Sequence, residues 1–428
     1  MFARPASISL TRQFWVVLHR WAGLTMALFL IVAGATGTLL PWEEELTMAS
    51  RPSMSRAAPP VQGAVPLDGV TLAERVARQT GAQVAFVPLD IPPEHAVRVA
   101  VQARAGQPPL GYDTVWADPY TGQVRLRFRY AVLADGAQNI IPFLYQVHYS
   151  LALGAWGIWA FGIAALIWTL DCFVGFYLTL PMRRKAVPAG RPAGPSWWVR
   201  WKPAWVIRKG ARGHKLNFDL HRASGLWVWP LLLVFAWSSV GFCLPSVHRP
   251  IMSALGASRD FEPPVLAKPL DNPPIDMRSA QRIGSTLMAH EGRRRGFTVE
   301  REGYLFYRPF WGLYGYSART TADPADHDPM TRVWFDASNG HLFYFQGPVG
   351  ENATDATMRW FYMLHMAQVF GLPYRIFVSL LGVAVVALSV TGIAIWMKKR
   401  SARLLGNRRT PRAAKVDQMV PAAAELKA

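Results

Sequence analysis

Cysteine is nearly absent: only Cys172 and Cys243 occur in 428 residues. Both fall inside apolar runs and neither has a Cys-x-x-Cys companion. That argues against a disulfide framework, a zinc site or an iron–sulfur cluster. No glycine-rich loop opens a strand–helix unit, so a flavin or nicotinamide fingerprint is missing too. Acidic residues are scarce, with 27 Asp and Glu against 46 Lys and Arg. Segments 59–141 and 251–361 hold no long apolar run.

What is present is a mixture. Hydrophobic residues make up 51% and charged residues 17%, with 18 Trp. The chain is too apolar for a soluble protein of this size and too polar to lie wholly in a membrane. Four apolar stretches, roughly 21–41, 156–181, 222–245 and 374–397, each approach the ~20 residues that span a bilayer as a helix.

The net charge of +19 is unevenly spread. Segments 1–20, 183–222 and 398–428 hold 23 of the 46 basic residues and 3 of the 27 acids. The rest of the chain is balanced. This is a positive-inside pattern, so both termini and the middle loop are expected in the cytoplasm. No nucleic-acid partner is expected, because orientation explains the basic residues. Arg4 and Arg12 precede the first run as in a signal peptide, but the run continues to Leu40. A retained signal anchor is expected, since cleavage near residues 33–37 discards His19.

Two phrases are doubled. Residues 18–24 read LHRWAGL and 220–226 read LHRASGL. Residues 143–148 read FLYQVH with Gly154 six positions on, and 360–365 read WFYMLH with Gly371 six positions on. The expected fold class is therefore a membrane α-helical four-helix bundle with an internal parallel two-fold repeat. A parallel repeat sets equivalent residues at equal depth. His19 then pairs with His221 near the cytoplasmic side, and His148 with His365 near the external side. Paired histidines on facing helices suit a cofactor held inside the bundle.

The segments between the spans repeat as well. Helix-like stretches at 71–80 and 279–291 are closed by Gly81 and Gly292. Strand-like alternation follows at 96–103, 114–117 and 123–130, and again at 298–307, 332–335 and 341–346. Asp118 to Gly122 and Asp336 to Gly340 read as tight turns ending in a residue with positive φ.

The strand–turn–strand phrase at 113–126 and 332–345 resembles the PepSY module. The LHR-x-x-GL and Tyr-x-x-His phrases resemble the PepSY-associated transmembrane family over almost the whole chain. The expected division is a cytoplasmic N-terminus (1–20), TM1 (21–41) and a periplasmic PepSY-like α+β module (42–142). An outer haem helix start with TM2 (143–181) and a basic cytoplasmic loop (182–220) follow. TM3 (221–245), a second periplasmic module (246–359), a second outer haem helix start with TM4 (360–397) and a cytoplasmic tail (398–428) complete it.

The family includes inner-membrane reductases of siderophore-bound iron that look like di-haem proteins. The resemblance implies a multi-pass protein of the bacterial inner membrane carrying two haem b groups. Its electrons come from a quinol or a cytoplasmic reductase, and its periplasmic acceptor is a ferric siderophore. Two other readings stay open: a membrane-anchored regulator or inhibitor of a periplasmic protease, and a siderophore or solute permease without redox activity.

Low-spin haem iron takes an axial ligand on each face, which assigns His19 with His221 and His148 with His365 as the iron ligands. Gly23 and Gly225, four residues beyond the first two, let a flat macrocycle approach the backbone. Arg20 and Arg222 either bind haem propionates or act as positive-inside anchors. Tyr145 and Tyr362 either hydrogen-bond near the outer haem or belong to an interfacial aromatic belt. Asp171, an acid within the second span, either relays a proton, bonds a ligand histidine or makes a structural hydrogen bond. His248 is an alternative outer ligand, and His214 reads as solvated. Trp197, Trp198, Trp201 and Trp205 among basic residues read as an interfacial segment or a donor-docking surface. The aromatic stretch 304–316 reads as strand packing or a wall for a bulky iron chelate.

Overall fold

The computed structural model describes residues 11–84, 86–104, 106–182, 194–258, 261–263, 265–326 and 328–409. Residues 1–10, 183–193 and 410–428, which fall in the segments expected to be cytoplasmic, lie outside the described residues.

In chain order the first half has α1 (Arg12–Gly37), α2 (Glu43–Ser50), a single turn α3 (Pro52–Ser55) and α4 (Gly69–Thr80). Strands β1 (Gln83–Val84), β2 (Phe86–Pro88), β3 (Val97–Gln102), β4 (Thr114–Ala117) and β5 (Val124–Phe128) follow. Next come α5 (Ile140–Ser150), α6 (Gly154–Thr179) and the short α7 (Trp197–Trp201). The second half has α8 (Gly213–Trp227), α9 (Trp229–Cys243), α10 (Pro245–Ala254) and α11 (Met277–Arg295). It continues with β6 (Val299–Arg308), β7 (Leu313–Thr320), β8 (Thr331–Asp336) and β9 (Leu342–Gln346), then α12 (Ala353–His365) and α13 (Gly371–Arg409).

Among the described residues, three helices are long and apolar enough to cross a membrane: α1 with its continuation, α6 and α13. The third expected span, 221–245, is not one helix. It breaks at Val228 into α8 and α9, and makes a fourth candidate only if that bent pair counts as one span. Pro230 supplies the reason, because it has no N–H for an i−4 carbonyl and its ring crowds that carbonyl.

The outer helix starts also need correction. His148 lies two residues before the end of α5, and His365 is the last residue of α12. Each sits on a separate helix that ends before the following span begins. Gly154 and Gly371, both at φ +58°, open those spans from the left-handed region that favours glycine.

The chain forms two compact units. One comprises residues up to 31, 170–229 and from 384 onward. In it, buried Trp201 and Ala204 pack with Leu226, Phe176 and Trp205. Trp198 remains 69% exposed, so the Trp segment keeps one apolar face outward. Asp219 is fully buried and accepts a two-pronged pair from Arg208, at 2.7 Å from Nε and 2.9 Å from Nη2. Arg12 donates to the carbonyls of Leu180 and Leu178 at the end of α6, where a cation complements the helix dipole.

The other unit, residues 32–169 and 230–383, carries both sheets. One has the order β1-β3-β4-β5 and the other β2-β6-β7-β8-β9. Strand β2 comes from the first half yet pairs antiparallel with β6, Val87 opposite Leu305. The expected separate modules at 42–142 and 246–359 are therefore joined. Val70, Leu72 and Val76 of α4 share one core with Ala280 and Met288 of α11 and with Leu305, Tyr316 and Phe335. Pairing β2 covers what is otherwise an open edge of β6.

Local stops and turns follow side-chain chemistry. Asp68 and Asp276 cap α4 and α11 by accepting from the amides of Thr71 and Ser279. Gly81 (φ +68°) ends α4. The expected stop of the second helix at Gly292 is wrong: α11 runs on to Arg295 and ends at Gly296, φ +79°. Gly292 is instead a close-approach site, where a Cβ would lie 2.7 Å from the Phe297 carbonyl. The aromatic stretch 304–316 resolves mostly into a β6–β7 hairpin. Leu305, Tyr307, Tyr314 and Tyr316 enter the core, and Tyr304 and Phe306 join Trp311 and Trp334 on the opposite face.

Both tight turns have the same design. Asp118 Oδ1 accepts from the amides of Tyr120 and Thr121, and Asp336 Oδ1 from those of Ser338 and Asn339. Gly122 and Gly340 take φ +69° and +76°. Burial pushes the Asp118 carboxyl up, but those amides, the Thr121 hydroxyl and the Arg125 guanidinium outweigh it and leave its pKa below the ordinary value. A carboxyl depressed in the folded state stabilises above its unfolded value, about pH 4, and that contribution is lost as pH falls through the folded value. Asp118→Asn is expected to flatten the acid limb of unfolding below about pH 4. Circular dichroism of the full chain in detergent checks this; an unchanged acid limb contradicts it.

Candidate functional site

Four histidine side chains come together as two pairs, one in each unit. In the first pair, His19 of α1 and His221 of α8 have ring centroids 6.2 Å apart, with planes at 57°. In the second, His148 of α5 and His365 of α12 are 6.4 Å apart, with planes at 84°. All four rings are half-buried.

Each ring is held by its Nδ1. His19 Nδ1 lies 2.9 Å from both carboxylate oxygens of Asp171, which is 5% exposed. His221 Nδ1 meets the Leu388 carbonyl at 3.0 Å and Thr391 Oγ1 at 3.2 Å. His148 Nδ1 meets Thr36 Oγ1 at 2.9 Å, and His365 Nδ1 meets Ser238 Oγ at 2.6 Å.

These partners assign the tautomer. A carboxylate or carbonyl only accepts, so His19 and His221 carry hydrogen on Nδ1. Thr36 already donates its hydroxyl hydrogen to Val32 O at 2.7 Å, and Ser238 donates its own to Val234 O at 2.8 Å. Each hydroxyl has one hydrogen, so it accepts from the histidine. In the neutral ring that leaves a lone pair on Nε2, and no Nε2 of the four makes a hydrogen bond among the described residues. This is the usual state of a metal-binding histidine: one nitrogen oriented by a neighbour, the other open.

The spacing carries a second constraint. A metal–imidazole bond is about 2.0 Å and the ring centre lies roughly 1.1 Å further back, so two imidazoles on opposite sides of one ion have centroids about 6.2 Å apart. Both pairs match. Among the described residues no group of three or more His, Cys, Asp or Glu side chains forms a metal cage. An ion held by either pair would take its remaining ligands from outside these side chains.

Glycines shape the cradle. A Cβ on Gly175 would lie 3.4 Å from His19 Cε1, and on Gly392 3.3 Å from His221 Cε1. On Gly37 it would lie 3.1 Å from His148 Cε1. Each ring thus lies close to a helix backbone bare of side chain. A Cβ on Gly23 meets nothing within 4 Å, and on Gly225 only Leu388 Cδ2 at 3.6 Å. Protein atoms leave the space beside Gly23 open, whereas Leu388 lies in ordinary contact range of Gly225.

Arg20 has no hydrogen-bond or ion-pair partner among the described residues, and its Nε is buried without one. It fits the carboxylate of a bound group. Arg222 fits less well, because its Nη2 bonds the Pro203 carbonyl and Asp219, although its Nε is also orphaned. Tyr145 packs on Tyr149, and Tyr362 packs edge-on to Phe242, which also touches His365. His248 lies on α10 against Trp237 and Gly241. His214 is exposed.

Sequence reasoning did not single out Thr36, Ser238, Thr391, Gly37, Gly175 or Gly392. A signal existed. Thr36 and Ser238 lie 17 residues after His19 and His221, and Gly175 and Gly392 lie 27 after His148 and His365. Aligning the doubled phrases along whole helices pairs these positions.

No curated protein sequence matches the chain. The family model described as the PepSY-associated TM region matches residues 16–399, a stretch that holds all four histidines and all their partners. The chain is a membrane protein that belongs to the PepSY-associated TM region family.

Proposed function

We propose that this chain is a di-haem electron-transfer protein of the bacterial inner membrane, with the His19/His221 pair toward the cytoplasm and the His148/His365 pair toward the periplasm. In this reading the doubled phrases mark two equivalent halves of a four-helix frame with its sheet-bearing segments in the periplasm. The carrying observation is the two histidine pairs at 6.2 and 6.4 Å, each Nδ1 anchored. Haem b bound there supplies one-electron chemistry at fixed positions.

The chain's own residues hold and orient. Asp171, Leu388, Thr36 and Ser238 fix the four rings. Gly23 and Gly225 admit a flat group beside α1 and α8, and Arg20 offers its guanidinium to a propionate. The apolar helices keep water and protons from the centres. Electrons enter from a quinol or a cytoplasmic reductase and leave to a periplasmic ferric siderophore, whose ferrous form is held less tightly. The acceptor rests on the resemblance to siderophore-iron reductases.

The test is reconstitution. Purified protein in vesicles is given a reduced quinol and an external ferric siderophore, with a chromogenic ferrous chelator as trap. Quinol-dependent ferrous iron is expected, and its loss in His365→Ala. A haem-loaded protein that reduces no ferric siderophore rules out that acceptor.

A further inference from the structure

The four histidine anchors are alike except one. His221 is held by a backbone carbonyl and a hydroxyl, and His148 and His365 by hydroxyls. All of these are neutral. His19 alone is held by a carboxylate, both oxygens at 2.9 Å. Asp171 and Leu388 occupy matching positions, each 23 residues after the histidine of the doubled Tyr-x-x-His phrase. A neutral acceptor there suffices to orient a ring, as Leu388 demonstrates. A charged acceptor in an apolar helix is costly to bury, so orientation alone does not account for Asp171.

Resting on the di-haem reading, we propose that Asp171 holds the His19/His221 centre at a lower reduction potential than the His148/His365 centre, and so sets the direction of electron transfer outward. A carboxylate on Nδ1–H strengthens the imidazole as a donor through Nε2 and places a negative charge near the iron. Both effects favour the oxidised, more positive state. With Asp171 at 5% exposure, solvent and salt screen it weakly. An arginine follows each histidine of this pair. Arg222 is committed to Asp219, and Arg20, the next residue round α1 from His19, makes no hydrogen bond to Asp171. Among the described charged residues, Asp171 is the one that bonds the His19 ring.

The transfer itself balances simply. A haem held by His19 and His221 would give up one electron to a haem held by His148 and His365, with no proton moved. A hydroquinone would restore the electron, releasing two protons per two electrons given. Asp171 is a positioning residue that acts through His19.

The experiment is an optical redox titration of the full-length haem-loaded protein in detergent. Two one-electron waves are expected. Asp171→Asn should move the lower wave upward and leave the upper wave in place, and Asp171→Glu should restore part of the shift. Should Asp171→Asn fail to fold, His365→Ala, which keeps the inner centre, must show one wave at the lower potential. A single wave at the upper potential, or a lower wave unmoved by Asp171→Asn, overturns the assignment while leaving the haem reading intact. Protein with no haem bands overturns both.

Discussion

On the di-haem reading, His148→Ala and His365→Ala are each expected to lower the haem content of the purified protein from two groups per chain to one, and both to remove the same optical and redox component. The two rings lie 6.4 Å apart, the distance at which one ion is shared, so either loss leaves a five-coordinate site or none. His19→Ala and His221→Ala remove the other component by the same logic, from rings 6.2 Å apart. Truncating a ligand also leaves its anchor behind, Thr36 for His148 and Ser238 for His365. Those hydroxyls still donate to their own helix carbonyls, so the helices themselves should persist. The pairing is specific. If His148→Ala and His221→Ala perturb one centre together, the assignment of partners is wrong even if haem is present. Thermal unfolding beside each spectrum separates ligand loss from collapse.

The second large effect lies away from the ligands. Gly382 of α13 packs on Gly34 of α1 and on Thr38 just beyond its end: a Cβ there would sit 2.6 Å from Thr38 Oγ1 and 2.7 Å from the Gly34 carbonyl. Backbone atoms cannot swing aside, so Gly382→Leu must part the two helices. Small residues four apart facing a glycine are how membrane helices reach such closeness. Overpacking of this kind costs about 1–3 kcal/mol, and a full leucine belongs at or above the top of that range. Thr36 lies between Gly34 and Thr38, so displacing α1 also moves the anchor of His148. Gly382→Leu should therefore lower the unfolding temperature and broaden the signature of the His148/His365 centre. Gly382→Ala should do the same to a smaller degree. An unchanged unfolding temperature in Gly382→Leu would contradict the close helix approach.

The histidine pairs were legible in the sequence because each lies in a doubled phrase. Equal offsets from a doubled phrase carry spatial equivalence without any knowledge of packing. The turns at Asp118 and Asp336 were legible for a similar reason, since their chemistry closes within five residues. Other features were not. The break at Val228 lay hidden in an apolar run, where composition outweighed the single Pro230. The end of α11 was misplaced because Gly292 and Gly296 look identical in sequence; one has the left-handed φ and the other a tight contact with Phe297. Strand β2 is three residues long and pairs with a strand more than two hundred residues away, so no local pattern announces it. Anchors such as the Leu388 carbonyl are invisible to any reading of side-chain type. Asp171 was noticed as an acid within a span, with a bond to a ligand histidine among its readings, and the geometry gives it His19 as partner.

The central claim is that each histidine pair holds one haem. A pyridine haemochrome assay on full-length purified protein, with protein quantified by amino-acid analysis, tests it most directly. The account predicts two haem b per chain, both low-spin in the native spectrum. Protein that is folded, carries all four histidines and contains no haem after expression with ample haem supply would contradict it.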